Sequence, residues 1–74
     1  MTLRDLTSSA TLMGNISINV WENGKEVGHR FFENVDDFDC YHYDCDDIAD
    51  YEITFISSEH ELCVTSLVID VSKD

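Results

Sequence analysis

Residues 16–32 of the chain read ISINVWENGKEVGHRFF. Ile16, Ile18 and Val20 alternate with polar residues, and alternation with a period of two indicates a half-buried strand. Asn23-Gly24 follows, the pair that best suits a two-residue type I′ turn because both positions need a positive φ. The stretch therefore predicts a β-hairpin in which Glu22 lies opposite Lys25.

This turn also predicts the register of the hairpin. Val20 should lie opposite Val27, Ile18 opposite His29, and Ile16 opposite Phe31, which gives one apolar face. A slip of one residue would expose the whole apolar set, so we expect this register to be firm. The other face should carry Ser17, Asn19, Trp21, Glu26, Gly28 and Arg30, with Trp21 either exposed as a contact surface or covered by the N-terminal segment.

Residues 34–50 predict an acidic helix that could be broken in the middle. Asn34 suits the N-cap position, and apolar residues from Val35 to Ile48 recur at spacings of three or four, typical of one helix face. The C-terminal half is less favourable, because Asp46, Asp47 and Asp50 would lie at the negative end of the helix dipole. We expect fraying or a loop there.

The remaining segments complete the predicted fold. Residues 51–57 and 62–71 predict a second hairpin connected by residues 58–61, with a bulge or a change of exposed face near Thr65-Ser66. In residues 2–13, Leu3 and Leu6 could share a helix face, whereas residues 11–13 could begin a strand. The result is an α+β fold of order ββαββ, a four-stranded antiparallel sheet with the helix on one face. The main alternative is a β-barrel-like all-β fold with residues 35–50 as an acidic loop.

The charge is strongly one-sided. The 74 residues include 16 carboxylates and only 4 Lys or Arg, a net charge of −12, and residues 31–72 hold no Lys or Arg. Solubility alone needs a magnitude of about 2–8 in a small domain. Phosphate would repel this chain, so direct binding to nucleic acid or to anionic membranes is disfavoured. The partner expected of a single acidic domain, residues 1–74, is a basic nucleic-acid-binding protein.

The cysteines and histidines predict neither a metal site nor another cofactor. Cys40, Cys45 and Cys63 make an odd count, unlike a disulfide framework. The N-terminus lacks the apolar core of a signal peptide, and no apolar run is long enough to span a membrane, so a cytoplasmic protein with free thiols is expected. Cys40-x-His42-x-x-Cys45 has no second pair of zinc ligands. No catalytic motif appears, and we expect no enzymatic activity.

Residues 36–52 are the candidate binding segment, with eight carboxylates among 17 residues. As a helix they would span about 25 Å, or one charge per roughly 3 Å, comparable with the 3.4 Å or so between phosphates along one DNA strand. A basic groove could then accept the segment in place of DNA, although a solvated acidic face is the simpler alternative. The candidate partner-binding residues are Asp36, Asp37, Asp39, Tyr41, Tyr43, Asp44, Asp46, Asp47, Asp50 and Glu52.

In size, charge and this Asp-rich segment, the chain resembles the small acidic phage proteins that inhibit host defence by mimicking DNA, in particular anti-CRISPR proteins. The resemblance implies binding to a Cascade-type or Cas9-type CRISPR effector and occlusion of its DNA- or PAM-reading groove, which is lined by Lys and Arg. These proteins share no sequence signature, so no residue role is transferred. The alternative function is an acidic adaptor or immunity-type protein that neutralises a basic partner such as a nuclease.

Overall fold

The computed structural model describes residues 1–73 and contains one helix and four strands. These elements are α1 (Leu3–Ser9), β1 (Gly14–Glu22), β2 (Lys25–Val35), β3 (Glu52–Glu61) and β4 (Val64–Ser72). The strands form a single sheet in the order β2-β1-β4-β3. β1 pairs antiparallel with β2 but parallel with β4, and β4 pairs antiparallel with β3. The α+β class is confirmed, but the predicted antiparallel sheet and the order ββαββ are not, because the sheet is mixed and the helix precedes both hairpins.

The parallel pair follows from the connection between the hairpins. Residues 36–51, here called the acidic loop, run from β2 at one edge of the sheet to β3 at the other. A parallel arrangement needs a crossover of a dozen residues or more, and this loop is long enough to provide one. The crossover places the apolar strands β1 and β4 in the centre, with Ile16 beside Leu67 and Ile18 beside Ile69.

The first hairpin has the predicted turn but a shifted register. Asn23 and Gly24 have φ values of 54° and 76°, and Glu22 pairs with Lys25. A bulge near Val27 then adds one residue to β2 and moves the pairs from Val20 to Ile16 by one position, and a second irregularity between Ile16 and Gly14 adds a further shift. Ile18 lies opposite Arg30 rather than His29, and Ile16 lies opposite Phe32 rather than Phe31.

The shift exchanges the two faces of β2. Phe32 packs against the core, whereas Phe31 is 51% exposed and Val27 is also exposed. The predicted placement of Val27, His29 and Phe31 on the buried face is therefore wrong, as is that of Gly28 and Arg30 on the opposite face. Trp21 does lie on the face away from the core and is half-buried.

The predicted helix over residues 34–50 is absent. β2 continues to Val35, and Asn34 has a φ of 54° with its N–H donated to Asn15 Oδ1 at 3.0 Å, so it caps no helix. The acidic loop consists of turns and one short 3₁₀ segment, Asp46–Ile48. Aspartate is a poor helix former, and like charges three or four residues apart repel on a helix surface. The acidic loop that the all-β alternative predicted over residues 35–50 is thus present, but it belongs to an α+β fold.

The second hairpin turns later than predicted. Leu62 and Cys63 form its two-residue turn, with φ values of 51° and 66°, while residues 58–61 belong to β3. Pairing is regular at Thr65-Ser66, and the irregularity lies in β3 between Ile53 and Phe55. At the N-terminus, Leu3 and Leu6 do lie in a helix, α1, as one of the predictions had it. Thr2 and Asp5 form a capping box at the start of α1.

The core lies between the sheet and a second layer formed by α1 and the acidic loop. We call the side of the sheet that α1 and the acidic loop cover the covered face, and the opposite side the open face. Backbone hydrogen bonds attach the loop to the N-terminal segment, including Arg4 N–H to the Ala49 carbonyl at 2.8 Å and Phe38 N–H to the Leu12 carbonyl at 3.0 Å. The buried apolar residues are Leu3, Ile16, Ile18, Val20, Val35, Phe38, Cys40, Cys45, Ile48, Ala49, Ile69 and Val71.

Two paired isoleucines test this layering. Ile69 is fully buried and lies opposite Ile56 of β3, which is 46% exposed. We expect Ile69→Ala to lower the free energy of unfolding by about 2–5 kcal/mol, because it leaves a cavity in the core. Ile56→Ala should cost less than about 1.5 kcal/mol, because it removes less buried surface. Urea unfolding of both variants measures the difference, and equal losses would contradict the two-layer packing.

Candidate partner-binding surface

The acidic loop brings most of the predicted binding residues to the surface. Asp39 is half-buried, and the other seven carboxylates of the set are exposed. Tyr41 is 72% exposed. Tyr43 instead stacks on Phe38, with ring centroids 5.3 Å apart, and meets the edge of Phe32 at 5.5 Å. The Tyr43 ring therefore contributes to the core as well as to the loop surface.

Three of the carboxylates are held by cationic groups. Arg30 binds both oxygens of Asp47, at 2.9 and 2.6 Å, and also donates to the Asp44 carbonyl at 3.0 Å. Arg4 of α1 donates to Asp50 at 3.0 Å, and the terminal ammonium of Met1 donates to Glu52 at 2.9 Å. The hydrogen bonds of Arg30 lower the pKa of Asp47. The pairs of Asp47 and Asp50 fasten the acidic loop to β2 and α1, and the pair of Glu52 ties β3 to the N-terminus.

Asp39 has a local structural role. One of its oxygens accepts the Tyr41 backbone N–H at 2.7 Å, and the other lies 3.1 Å from His42 Nδ1. The Tyr41 hydrogen bond, followed by that of His42, lowers the pKa of Asp39. Since the carboxylate closes a turn, replacing it would disturb the loop as well as its charge.

Four of the eight carboxylates form no salt bridge among residues 1–73, namely Asp36, Asp37, Asp44 and Asp46. Asp37 and Asp46 line one polar cleft of about 220 Å³ between the acidic loop and α1, together with Tyr41 and with Arg4, which pairs with Asp50. The cleft therefore brings together residues that are distant in sequence. It does not reproduce the evenly spaced row of charges that a helix would have displayed, because the loop is folded into turns.

The three thiols lie in two separate parts of the described structure. Cys40 and Cys45 belong to the acidic loop and are buried, whereas Cys63 lies in the exposed turn between β3 and β4. Within residues 1–73 no three His, Cys, Asp or Glu side chains are arranged to hold a metal ion. Burial raises the pKa of both Cys40 and Cys45, so these thiols are less ionised than an exposed thiol.

Sequence reasoning missed a second feature, a groove on the open face. His29 lies there, exposed, with Nδ1 2.7 Å from Asn19 Oδ1, and Asn19 in turn donates to Asp70 at 2.8 Å. The groove has a volume of about 460 Å³ and is lined by His29, Phe31 and part of the β3–β4 hairpin. The missing signal was the bulge in β2, which turns His29 and Phe31 away from the core.

The Arg30–Asp47 pair predicts a pH-dependent contribution to stability. Since the folded-state pKa of Asp47 is lowered, its stabilisation is present above the unfolded pKa, about 3.9, and is lost as the pH falls through the lower folded value. Asp47→Asn should lower the free energy of unfolding by about 1 kcal/mol at neutral pH, and the difference should shrink in acid. Asp46→Asn is the control, because Asp46 forms no salt bridge in the described part of the chain. If Asp47→Asn lowers the free energy of unfolding as much in acid as at neutral pH, the Arg30–Asp47 pair is not the cause of the loss.

Thiol labelling tests the burial of the loop. In the folded protein one thiol, Cys63, should react rapidly with a thiol reagent, while Cys40 and Cys45 should react only after denaturation, because the thiolate is the reactive form and both are shielded. Mass spectrometry identifies the labelled residue, and a Cys63→Ser variant serves as the control. Rapid labelling of Cys45 in the folded protein would show that this part of the acidic loop is not packed into the core.

Comparison with known proteins places the chain in no family. No protein-family model matches the sequence, and no curated protein and no solved structure gives a significant match. Within residues 1–73, no helix is long and apolar enough to cross a membrane.

Proposed function

We propose that the protein is a non-enzymatic inhibitor that binds the basic nucleic-acid-binding groove of a target protein. The observation that carries this proposal is the cluster of exposed carboxylates on the acidic loop that form no salt bridge among residues 1–73, above all Asp37 and Asp46 at one cleft, where Arg4 is engaged by Asp50. Lys and Arg of a groove would supply the missing counter-charges, and complementary charge accelerates association and fixes the choice of partner.

The anchoring of the loop supports the same proposal. Phe38, Cys45 and Ile48 are buried, so the backbone that carries the aspartates is already ordered by the core. Binding costs less when the contact residues need not be ordered on association. Tyr41 stands exposed among the charges, and tyrosine is enriched at the energetic centres of protein interfaces.

The favoured version is a phage anti-CRISPR protein that acts in the host cytoplasm. A net charge of −12 on 74 residues makes the chain itself repel nucleic acid while it attracts the Lys- and Arg-lined channel of a CRISPR effector. Occupation of that channel would block recognition of DNA or of the PAM. This version rests on size, charge and the exposed aspartates, and its partner is a subunit of the effector.

The irregular shape of the acidic loop favours one alternative. Without a helix, the carboxylates lack the regular spacing that would match a DNA strand. An adaptor or immunity-type protein that neutralises a basic nuclease needs complementary charge and shape but no such spacing. The two functions differ in competition, because bound target DNA should exclude an inhibitor of the DNA groove and need not exclude an adaptor.

A mobility-shift assay with purified Cascade-type and Cas9-type effectors tests the proposal. The wild-type protein should prevent the effector from binding its target duplex, and inhibition should weaken steeply as salt is raised. Asp37→Lys/Asp46→Lys should weaken inhibition by about tenfold or more, because each change places a like charge against the groove. Glu26→Lys/Glu33→Lys, a pair of exposed residues on β2, changes the net charge equally and should have little effect.

Three outcomes decide between the functions. If both variants lose inhibition equally, the effector responds only to net charge. If Asp37→Lys/Asp46→Lys inhibits fully, the acidic loop is not the binding surface. Binding to an effector that still holds its target duplex would favour the adaptor. Urea unfolding of each variant establishes that the fold is retained.

A further inference from the structure

The open face of the sheet has a groove that the acidic loop does not touch. Its volume is about 460 Å³, within the range of about 300–1,000 Å³ that is typical of ligand sites. One wall comes from Phe31 of β2, and the other comes from the β3–β4 hairpin with Leu62 and Val64. All three apolar side chains are more than two-fifths exposed, at 51%, 90% and 43%. The groove therefore offers apolar surface that nothing in residues 1–73 covers.

A small residue in the central strand gives the groove its depth. Ser17 of β1 lies between Phe31 of β2 and Val68 of β4 in the strand register. It lines the groove and is 8% exposed. A large side chain at this position would fill the space between Phe31 and the hairpin, so the groove depends on serine there.

A chain of hydrogen bonds fixes the polar part of the floor. Asn19 donates its Nδ2 to Asp70 at 2.8 Å, which leaves its Oδ1 to accept from His29 Nδ1 at 2.7 Å. The other nitrogen, Nε2, lies 3.4 Å from Ser17 Oγ. With Nδ1 as the donor, Nε2 accepts the Ser17 hydroxyl, and the Ser17 oxygen keeps lone-pair capacity toward the groove that it lines. The floor can therefore receive an N–H or O–H donor.

The charges at the groove are of one sign. Glu59 and Glu61 of β3 line it, neither has a cationic partner among residues 1–73, and the groove contains no Lys or Arg from that part of the chain. An occupant would need apolar groups for Phe31, Leu62 and Val64 and cationic groups for the two glutamates. A second copy of this chain is a poor occupant, because two surfaces of net charge −12 would be brought together.

We propose that this groove binds a cationic amphipathic segment of a partner protein, with its apolar side chains on Phe31, Leu62 and Val64 and its Lys or Arg against Glu59 and Glu61. The groove lies on the side of the sheet opposite the acidic loop, so it provides a second contact surface beyond the one that the proposed function uses. A partner could thus be held on both faces, or two basic partners could be joined.

A short synthetic peptide of alternating Leu and Lys is the probe, and one of alternating Leu and Glu is its control. The Leu-Lys peptide should shift the backbone NMR signals of Phe31, Leu62 and Val64, and the Leu-Glu peptide should leave them in place. Glu59→Gln/Glu61→Gln should weaken binding of the Leu-Lys peptide about tenfold. Glu22→Gln/Glu26→Gln, near the β1–β2 turn and away from both the groove and the acidic loop, removes the same charge and should change the affinity by less than about twofold.

The control variants decide what would overturn this inference. If the two double variants weaken peptide affinity equally, or if the NMR shifts are confined to the acidic loop, the peptide binds through net charge and the groove is not a binding site. Self-association that Phe31→Ser abolishes would mean that a second copy fills the groove. Phe31 is exposed, so this variant should fold, and its urea midpoint verifies that. The effector experiment with Asp37→Lys/Asp46→Lys tests only the acidic loop. The inhibitor function and the peptide site in the groove can therefore fail independently.

Discussion

Burial of the apolar side chains of the acidic loop against the sheet is the constraint on which the rest of the structure depends. Phe38, Cys45, Ile48 and Ala49 join Ile16, Ile18, Ile69 and Val71 in one core, and these contacts oppose the repulsion among seven aspartates in the same loop. Because the apolar residues point inward, the aspartates are directed outward. Arg4 and Arg30 then offset part of the repulsion at the two places where the loop meets α1 and β2.

This arrangement gives the two faces of the sheet different chemistry. The covered face supplies the core and displays carboxylates through the acidic loop, whereas the open face retains exposed aromatic and aliphatic residues beside glutamates. Both faces are complementary to basic partners, but in different ways. The acidic loop fits a polar surface rich in Lys and Arg, while the groove fits a segment that is both cationic and apolar.

The Asn23-Gly24 turn made the first hairpin predictable, but no sequence feature marked the bulge that changes its register. Asn23-Gly24 marks the turn because few other residues adopt positive φ. The bulge near Val27 has no comparable marker, and Phe31 and Phe32 are adjacent, so either could fill the core position beside Ile16. Packing of Phe32 with Phe38 and Tyr43 selects between them, and this choice also places His29 at the groove.

Other features of the fold lay outside what local sequence can specify. Apolar residues spaced by three or four predict a helix, but a turn-rich loop over a sheet buries the same residues, as Phe38, Cys45 and Ile48 do here. Leu62-Cys63 forms a turn without any typical turn residue. The exposure of the aspartates was predictable from their charge, whereas the partners of Asp47 and Asp50 depend on the tertiary placement of Arg30 and Arg4.

Amide hydrogen exchange of the acidic loop tests the central claim, that burial holds this loop in place, most directly. The Phe38 N–H donates to the Leu12 carbonyl at 3.0 Å, and the Cys45 N–H donates to the Cys40 carbonyl at 2.7 Å. If the loop belongs to the core, both amides should exchange only through large-scale opening, with protection close to that of the central strands. Exchange of both amides at the rate of an unfolded chain, while β1 and β4 stay protected, would contradict the account.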